Sequence, residues 1–571
     1  MKHSKQIYSQ TGLAVILFFW VLIASVAPNV WLSLVEPLSP VQALANVLLP
    51  TGVYILSMSI SRHIGRTALW MTFVMFFAAF QLVLLYMYGR SVIAVDMFLN
   101  LVTTNPGEVG ELLGNLFPII AAVVVGYLFP IIGAIVAVVK KWRLTEKFQR
   151  IMRMSGYWLT GAGTVCFVAG FFSSNPYNPL TDLFPVNVLY NAGVAIDRTD
   201  RLADYPRTSA DYTFEAVSTR PDSIAEVYVA VIGETSRAEN WQLAGYERPT
   251  TPALMNKDGL VYFPKTLSQS NTTHKSVPML MSALDASAFG DSIYHVKSFI
   301  TAFKEAGFHT AFFSNQNRNH SFIDLFGSEA DTCVFIREDV TNSTTTHYYD
   351  KDLLKYLDRE LAKGHKKQLI VLHTYGSHFS YMDRYPKEEE HFKPATPADA
   401  APAYRDELVN AYNNTILYTS NFLNDVIGRL AGSGAQSALI YTSDHGEDIY
   451  DDSRRLFLHA SPCPSYYQIH VPFLVWMSSG FRNNHPEIFT AALSNSDKFV
   501  ASSQAYFHTL LDIAGLKSSQ FNSSASVASP AYAPGPVRYL NDHNREVTLE
   551  EAGLLEPDFA KLRDHSIRSW L

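Results

Sequence analysis

Four polar residues that could bind a metal ion come shortly after apolar runs of the chain. The residues are Glu234, Asp444, His445 and His378, and the runs that precede them are 226–232, 437–442 and 368–373. Carboxylates and imidazoles together form the oxygen and nitrogen ligand set of a catalytic zinc or manganese site, rather than of a closed structural site. A single glutamate after a strand is more often a surface or capping residue, so the metal site is predicted from their joint occurrence.

A hydroxyl-rich segment supplies a candidate nucleophile. Residues 268–279 read SQSNTTHKSVPM and lead into an apolar helical run, with Pro278 suited to its first turn. A threonine near a helix N-terminus lies beside backbone N–H groups and the positive end of the helix dipole. Zinc would lower the pKa of its hydroxyl, as it does for bound water. Without a metal, Thr272 and Thr273 would be interpreted as helix caps.

The metal-binding residues share one site only if their apolar runs are neighbouring strands. Five runs are predicted as strands, at 226–232, 309–314, 368–373, 437–442 and 470–476, with helical patterns at 298–306, 350–362, 404–430 and 503–511. Apolar strands alternating with helices predict an α/β fold with a mostly parallel sheet covered on both faces. Ligands bind outside the carboxyl ends of such strands, which places the four polar residues at one edge.

The N-terminal third of the chain is predicted to lie in a membrane. Five apolar runs long enough to cross a bilayer occur at 12–32, 41–60, 68–88, 116–139 and 156–172. Lysines and arginines precede the first run and lie between the second and third and between the fourth and fifth, whereas the opposite loops carry only Arg90. The positive-inside rule therefore places the N-terminus in the cytoplasm and everything after about residue 174 outside it.

Composition agrees with a membrane part joined to a large soluble part. Of 571 residues, 48% are hydrophobic and 17% charged, below the quarter or so that is usual for soluble chains. A mean hydropathy of +0.04 is too low for a chain lying wholly in a membrane. A net charge of −7 excludes a nucleic-acid-binding protein with a basic stripe. We expect a transmembrane domain at 1–173, a linker without clear periodicity along the membrane surface at 174–220, and a catalytic domain at 221–571.

The motifs together resemble the membrane-bound phosphoethanolamine transferases of Gram-negative bacteria, which modify lipid A or the lipopolysaccharide core and include the mobile colistin-resistance enzymes. The matching residues are Gly233-Glu234-Thr235, Thr273 ahead of Ser276-Val277-Pro278, Gly376-Ser377-His378, Ser443-Asp444-His445-Gly446-Glu447 and Leu458-His459, where Ala460 replaces a glycine. The resemblance covers nearly the whole chain. It implies five transmembrane helices in the bacterial inner membrane and a periplasmic α/β/α domain of the alkaline phosphatase/sulfatase fold.

The resemblance also implies roles for individual residues. Glu234, Thr273, Asp444 and His445 would bind one tightly held zinc ion, and Thr273 would be the nucleophile. His378 and His459 would serve as ligands of a possible second metal or of the head group, and could exchange protons during the reaction. Two cysteines of the outer domain, Cys333 and Cys463, could pair in the periplasm.

Three further positions keep alternative interpretations. Asn100, Thr104 and Glu108 match the spacing of a lipid head-group site, but Asn105-Pro106 with Glu108 also forms a helix start with a capping box. His320 or Arg318 could replace a phosphate-binding lysine of the family. His470 is either a further ligand or, as we prefer, the first residue of a strand.

The predicted activity is a two-step, zinc-dependent phosphotransfer. Thr273 attacks the phosphorus of phosphatidylethanolamine, diacylglycerol leaves, and the phosphoethanolamine passes to lipid A, a core sugar or another envelope glycan. A phosphoglycerol transferase of the lipoteichoic-acid-synthase kind is the main enzymatic alternative, and a non-catalytic membrane scaffold of the same fold is another. An arylsulfatase is disfavoured because the chain has no Cys/Ser-x-Pro-x-Arg motif.

Overall fold

The computed structural model describes residues 2–103, 117–173, 177–338, 348–395 and 401–567, and these form two compact units. The first unit comprises residues 2–99 and 117–197, and the second comprises chiefly residues 198–567. The head-group candidates fall at the margin of this description. Asn100 belongs to the helix Val95–Thr103, whereas its side chain, Thr104 and Glu108 lie outside the described residues.

The first unit consists of apolar helices. They are Lys2–Val35, Pro40–Met58, Ile64–Trp70, Thr72–Tyr88, Val95–Thr103, Phe117–Val139, Glu146–Gly170 and the short Pro179–Asp182. Within the described residues, three are long and apolar enough to cross a membrane, or four if Ile64–Trp70 and Thr72–Tyr88, bent by 51°, form one span. The fifth predicted span, 156–172, is only part of the helix Glu146–Gly170, whose first half carries several charges. Each of the five predicted runs therefore largely coincides with a helix, or with this bent pair of helices, in the first unit.

Small residues allow two of these helices to pack closely. A Cβ atom added to Gly52 would lie 2.5 Å from the backbone nitrogen of Thr160, and one added to Gly163 would lie 2.5 Å from that of Leu49. Close backbone approach at glycine is the usual packing device between helices in membranes. The glycines of Pro40–Met58 and Glu146–Gly170 thus hold the last apolar segment in the unit.

The linker predicted at 174–220, which shows no clear periodicity, contains a long helix, Val186–Thr208. Its sequence shows few regularly spaced apolar residues and includes Pro206, so the helical period is weak. Tyr205, in its last turn, is buried in the core of the second unit and donates a hydrogen bond to the carbonyl of Val296 at 2.8 Å. Contacts, rather than periodicity, stabilise this helix, and the sequence of the linker therefore gives no clear sign of it.

A seven-stranded sheet is the centre of the second unit. In chain order its strands are β1 Glu226–Gly233, β2 Leu260–Tyr262, β3 His309–Ser314, β4 Thr332–Phe335, β5 Lys367–His373, β6 Gln436–Ser443 and β7 Phe473–Met477. Their spatial order is β2-β7-β6-β1-β5-β3-β4. β7 pairs antiparallel with both of its neighbours, β2 and β6, and the other four pairings are parallel, so the predicted mostly parallel sheet is confirmed.

Helices cover both faces of this sheet. All eight residues of β1 are buried as a result. The helices of the second unit are Thr273–Met281, Phe299–Glu305, Phe322–Gly327, Leu353–Ala362, Arg405–Gly432, Tyr466–Ile469, Ser479–Asn484, Pro486–Asn495, Ser502–Ile513 and Glu556–Asp564. Four predicted strands agree with the structure to within one residue at each end. The fifth begins at Phe473 rather than at His470. The residues directly before His470 form the helix Tyr466–Ile469.

Candidate functional site

The sheet places the ends of β1, β5 and β6 beside one another. Ile232 of β1 pairs with both His373 of β5 and Thr442 of β6. Glu234 and Asp444 directly follow β1 and β6, and the backbone N–H of Asp444 donates to the carbonyl of Gly233 at 3.1 Å. The two carboxylates therefore meet at the carboxyl edge of the sheet, as in other open α/β folds.

Thr273 lies at the centre of this edge. Its Oγ1 is 3.2 Å from Glu234 Oε2 and 3.1 Å from His445 Nε2. Thr273 is the first residue of the helix Thr273–Met281, and Thr272 is the N-cap residue but makes no side-chain capping bond. Because the helix begins this early, Pro278 lies in its second turn rather than in the first. The Thr273 hydroxyl thus faces metal-ligand groups at the positive end of a helix.

Asp444 is a buried carboxylate with one unsatisfied oxygen. Its Oδ1 accepts hydrogen bonds from the backbone N–H groups of Thr235 at 3.1 Å and His445 at 2.7 Å, whereas its Oδ2 has no hydrogen-bond partner. Burial raises the pKa of this carboxyl to about 7. A buried, incompletely bonded carboxylate requires either a proton or a cation. Asp444 therefore fits a bound metal ion.

The imidazole of His445 is held so that its lone pair points into the same space. Its Nδ1 donates to the carbonyl of Gly446 at 3.0 Å, which leaves Nε2 as the unprotonated atom. This Nε2 lies 3.3 Å from Asp444 Oδ2 and 3.5 Å from Glu234 Oε1. Two ligands bound at about 2 Å to one tetrahedral zinc ion lie roughly 3.3 Å apart. The distances from His445 Nε2 to Asp444, Glu234 and Thr273 thus fit ligands that share one zinc ion.

His459 and His378 border the same site. The rings of His445 and His459 are 4.3 Å apart between centroids, and those of His459 and His378 are 5.5 Å apart. Ligand atoms of Glu234, His445 and His459 lie within 4.8 Å of one another. Burial lowers the pKa of His378 to about 4 and that of His459 to about 3, so both are neutral at pH 7.

Two further carboxylates position these histidines, and sequence reasoning missed both roles. Glu447 Oε2 accepts a hydrogen bond from His459 Nδ1 at 2.7 Å, and its Oε1 accepts one from the Tyr381 hydroxyl. Asp350 is buried and accepts hydrogen bonds from the backbone N–H groups of Tyr375 at 2.8 Å and Gly376 at 3.0 Å. Glu447 belongs to a recognised motif, which was a usable signal, but Asp350 precedes the loop of His378 by more than twenty residues.

Gly376 allows that loop to lie against the end of β1. A Cβ atom at this position would be 2.3 Å from the carbonyl oxygen of Glu234, and its φ is +55°. The N–H of Ser377 donates to the same carbonyl at 2.9 Å. The glycine is therefore required to bring His378 and Glu234 to one site.

The remaining predicted residues lie elsewhere. His320 is exposed and its imidazole makes no hydrogen bond to the site among the described residues, while Arg318 pairs with Glu338. The side chain of this loop that reaches the site is Gln316, whose Nε2 lies 3.2 Å from Glu234 Oε2. Among the described residues Cys333 and Cys463 form no disulfide bond with each other, so the pairing considered from the sequence is absent.

Replacing Asp350 by alanine should destabilise the second unit by about 3 kcal/mol or more, because three buried donors lose their acceptor. These donors are the N–H groups of Tyr375 and Gly376 and the side-chain amide of Asn315. Denaturant unfolding in detergent measures the loss. Asp358→Ala is the control, since this half-exposed carboxylate only pairs with Arg429 and should cost less than about 1 kcal/mol. Equal losses in the two variants would contradict the role of Asp350.

This chain is similar to several known proteins in sequence and in fold. The sulfatase family model matches residues 226–516, half of the chain. Phosphoethanolamine transferase EptA of Escherichia coli K12 is 28% identical over 307 residues, which are 52% of this chain and about half, 55%, of that relative. The full-length lipooligosaccharide phosphoethanolamine transferase A of Neisseria meningitidis is 23% identical, with a TM-score of 0.69 over 90% of this chain and 97% of that one.

A second solved structure is similar over a smaller part of this chain. The periplasmic domain of Escherichia coli EptC in complex with zinc is 24% identical, with a TM-score of 0.53 over 60% of this chain and 98% of that one. The Escherichia coli domain shares the fold of the sheet with this protein, and the full-length Neisseria meningitidis structure also shares the fold of the apolar N-terminal helices. The chain therefore belongs to the sulfatase family, and the resemblance to membrane-bound phosphoethanolamine transferases that its motifs predict is confirmed.

Proposed function

We propose that this protein transfers phosphoethanolamine from phosphatidylethanolamine to a lipopolysaccharide acceptor, lipid A or a core sugar, through an intermediate on Thr273. One observation carries the proposal: the Thr273 hydroxyl lies within 3.4 Å of Glu234 and His445 at the start of a helix. The names of the relatives support the transferred group and a lipooligosaccharide acceptor. The apolar helices of the first unit suit an enzyme whose donor is a membrane lipid.

The reaction consists of two displacements at phosphorus. In the first, the Thr273 oxygen forms a bond to phosphorus, the bond to the diacylglycerol oxygen breaks, and diacylglycerol takes up a proton. In the second, an acceptor oxygen displaces the Thr273 oxygen and loses its proton. His378 and His459 are neutral at pH 7, so each has a ring nitrogen that can accept a hydrogen bond from the acceptor hydroxyl as that hydroxyl loses its proton.

Glu234, Thr273, Asp444 and His445 would hold the zinc ion, and the zinc complex of a protein with the same fold supports this metal. When bound, zinc supplies a Lewis acid for the phosphoryl oxygens and lowers the pKa of the threonine hydroxyl. His459, with Glu234 and His445, offers ligands for a possible second ion. The positive end of the helix dipole at Thr273 also stabilises the threonine oxygen once it has lost its proton.

We further propose that the second unit faces the periplasm and that the first lies in the bacterial inner membrane. The distribution of lysine and arginine between the loops supports this orientation. Asn100, Thr104 and Glu108 are kept as candidate head-group residues, and His320 as a candidate phosphate contact.

The donor separates this proposal from its main alternative. Purified full-length enzyme should release labelled diacylglycerol from phosphatidylethanolamine and not from phosphatidylglycerol, whereas a phosphoglycerol transferase would show the opposite preference. Mass spectrometry of lipopolysaccharide from cells with and without the protein identifies the acceptor. If lipid A gains the group, binding of cationic polymyxins should fall, because an added ammonium offsets phosphate charge. An unchanged lipopolysaccharide spectrum would contradict the acceptor.

Replacing Glu447 by glutamine should lower the transfer rate roughly 10–100-fold, because an amide has one acceptor oxygen and cannot accept hydrogen bonds from both His459 and Tyr381. Zinc at the Thr273 site should stay bound, since Glu447 contacts His459 rather than the four ligands. Rate and zinc content are measured on the same sample. Tyr381→Phe is the matched control, because it removes only the hydrogen bond to the other carboxylate oxygen. An unchanged rate in Glu447→Gln would contradict the positioning role.

A further inference from the structure

A second cluster of metal-binding side chains lies outside the catalytic set. It contains Glu239, His470 and His565, with Tyr466 and Lys561 beside them. Glu239 lies in the turn Ala238–Asn240 after β1, His470 follows the helix Tyr466–Ile469, and His565 follows the helix Glu556–Asp564. Three segments distant in sequence therefore meet here, and the proposed transfer reaction uses none of these residues.

The ligand atoms of this cluster are close enough to share one ion. His565 Nε2 lies 3.3 Å from Glu239 Oε2, and one ligand atom from each of the three residues lies within 4.8 Å of the others. A distance of 3.3 Å is that of two ligands bound at about 2 Å to one tetrahedral ion. Two imidazoles and one carboxylate are a common zinc ligand set.

His470 has the orientation of a metal ligand. Its side chain is buried, with the residue 1% exposed, and its Nε2 donates to the carbonyl of Pro264 at 2.8 Å. The second nitrogen of a ligating histidine usually donates to a carbonyl in this way, which directs the lone pair of the first towards the metal.

Hydrogen bonds join the atoms of this cluster. The Tyr466 hydroxyl lies 2.6 Å from His470 Nδ1 and 3.1 Å from Glu239 Oε2. Lys561 Nζ donates to Glu239 Oε1 at 2.8 Å, and His565 Nε2 lies beside Glu239 Oε2. A divalent cation would take the place of these protons between the carboxylate and the two imidazoles.

We propose that Glu239, His470 and His565 bind a divalent metal ion, zinc by their ligand set, at a site separate from the catalytic centre. The ion would join the C-terminal helix Glu556–Asp564 to the turn that follows β1. Leu562 of that helix packs with Tyr466 and Ile469 in one apolar cluster, so the metal would reinforce an existing contact. Lys561 is 38% exposed in its side chain and can move away when the ion binds.

Zinc content tests this proposal independently of transfer activity. Full-length protein in detergent is stripped with a chelator, re-equilibrated with ZnCl2, desalted and analysed for zinc per chain. His565→Ala should retain one zinc ion fewer than the wild type, whereas His295→Ala, which removes an exposed histidine outside the cluster, should match the wild type. The difference does not depend on the catalytic site, because every protein in this comparison keeps those ligands. Equal zinc content in His565→Ala and the wild type would overturn the proposal.

Hydrogen exchange supplies a second measurement. Added zinc should slow exchange in peptides covering 556–567 of the wild type and should not do so in His565→Ala. If His565→Ala does not fold, Glu239→Gln replaces it, since the amide keeps the shape and loses the charge. Zinc-dependent protection that persists in the folded variant would contradict the site.

Discussion

Thr273→Ala should lose phosphoryl transfer by at least about 10⁴-fold, because no covalent carrier can form on the enzyme. The protein should still fold, since Thr273 contributes one hydroxyl at the start of a helix whose apolar residues remain buried. Zinc should be largely retained through Glu234, Asp444 and His445. Turnover of labelled phosphatidylethanolamine, together with zinc content and thermal unfolding, measures all three expectations.

Thr272→Ala is the matched control for this loss. Thr272 is adjacent in sequence, makes no side-chain capping bond, and its hydroxyl contacts Ser270 rather than the metal ligands. Its alanine variant should keep most of the activity. Activity lost in Thr272→Ala and kept in Thr273→Ala would show that the neighbouring hydroxyl is the nucleophile, and would overturn the mechanism while leaving the fold unchanged.

Asp444→Asn should lower zinc affinity by more than about 100-fold, which exceeds the usual effect of residues that only support a ligand. The carboxylate is buried and one of its oxygens has no hydrogen-bond partner, so its charge is available to the ion. Glu234→Gln should have the same effect. Asp448→Asn is the control, because Asp448 is also buried but bonds to Ser465 and Gln468 instead. Zinc content equal to that of the wild type in Asp444→Asn would contradict the assignment.

Asp444→Asn should also change how the stability of the metal-free protein depends on pH. Burial raises the pKa of Asp444 from 3.8 to about 7 in the folded state. Because the folded protein binds this proton more tightly than the unfolded chain, stability should fall as pH rises from 3.8 to about 7. Asp444→Asn should remove that fall and be at least as stable as the metal-free wild type above pH 7.

The sheet and its principal ligands could be predicted because both leave local signals. Each buried strand is a continuous apolar run, and the functional residue follows it within a few positions, as at Glu234 and Asp444. Parallel pairing then brings the strand ends together without further information. Thr273 was identifiable from its hydroxyl-rich segment, although the helix start was placed too late.

Features that depend on tertiary contacts could not be predicted. Asp350 acts on a loop more than twenty residues away, and Gln316 reaches Glu234 only after β1, β3 and β5 pair. His470 was expected to begin a strand. In the structure its ring instead contacts Tyr466, the carbonyl of Pro264 and His565, which follows a C-terminal helix. These contacts, and not the apolar run that follows His470, determine the orientation of its ring.

Peptide mass spectrometry of the enzyme with its donor tests the central claim most directly. Wild-type protein incubated with phosphatidylethanolamine and no acceptor should accumulate one phosphoethanolamine group on the peptide that contains Thr273. The group should disappear when lipopolysaccharide is added, and Thr273→Ala should never acquire it. A wild-type enzyme that turns over donor without an adduct, or an adduct found on Thr272, would contradict the account.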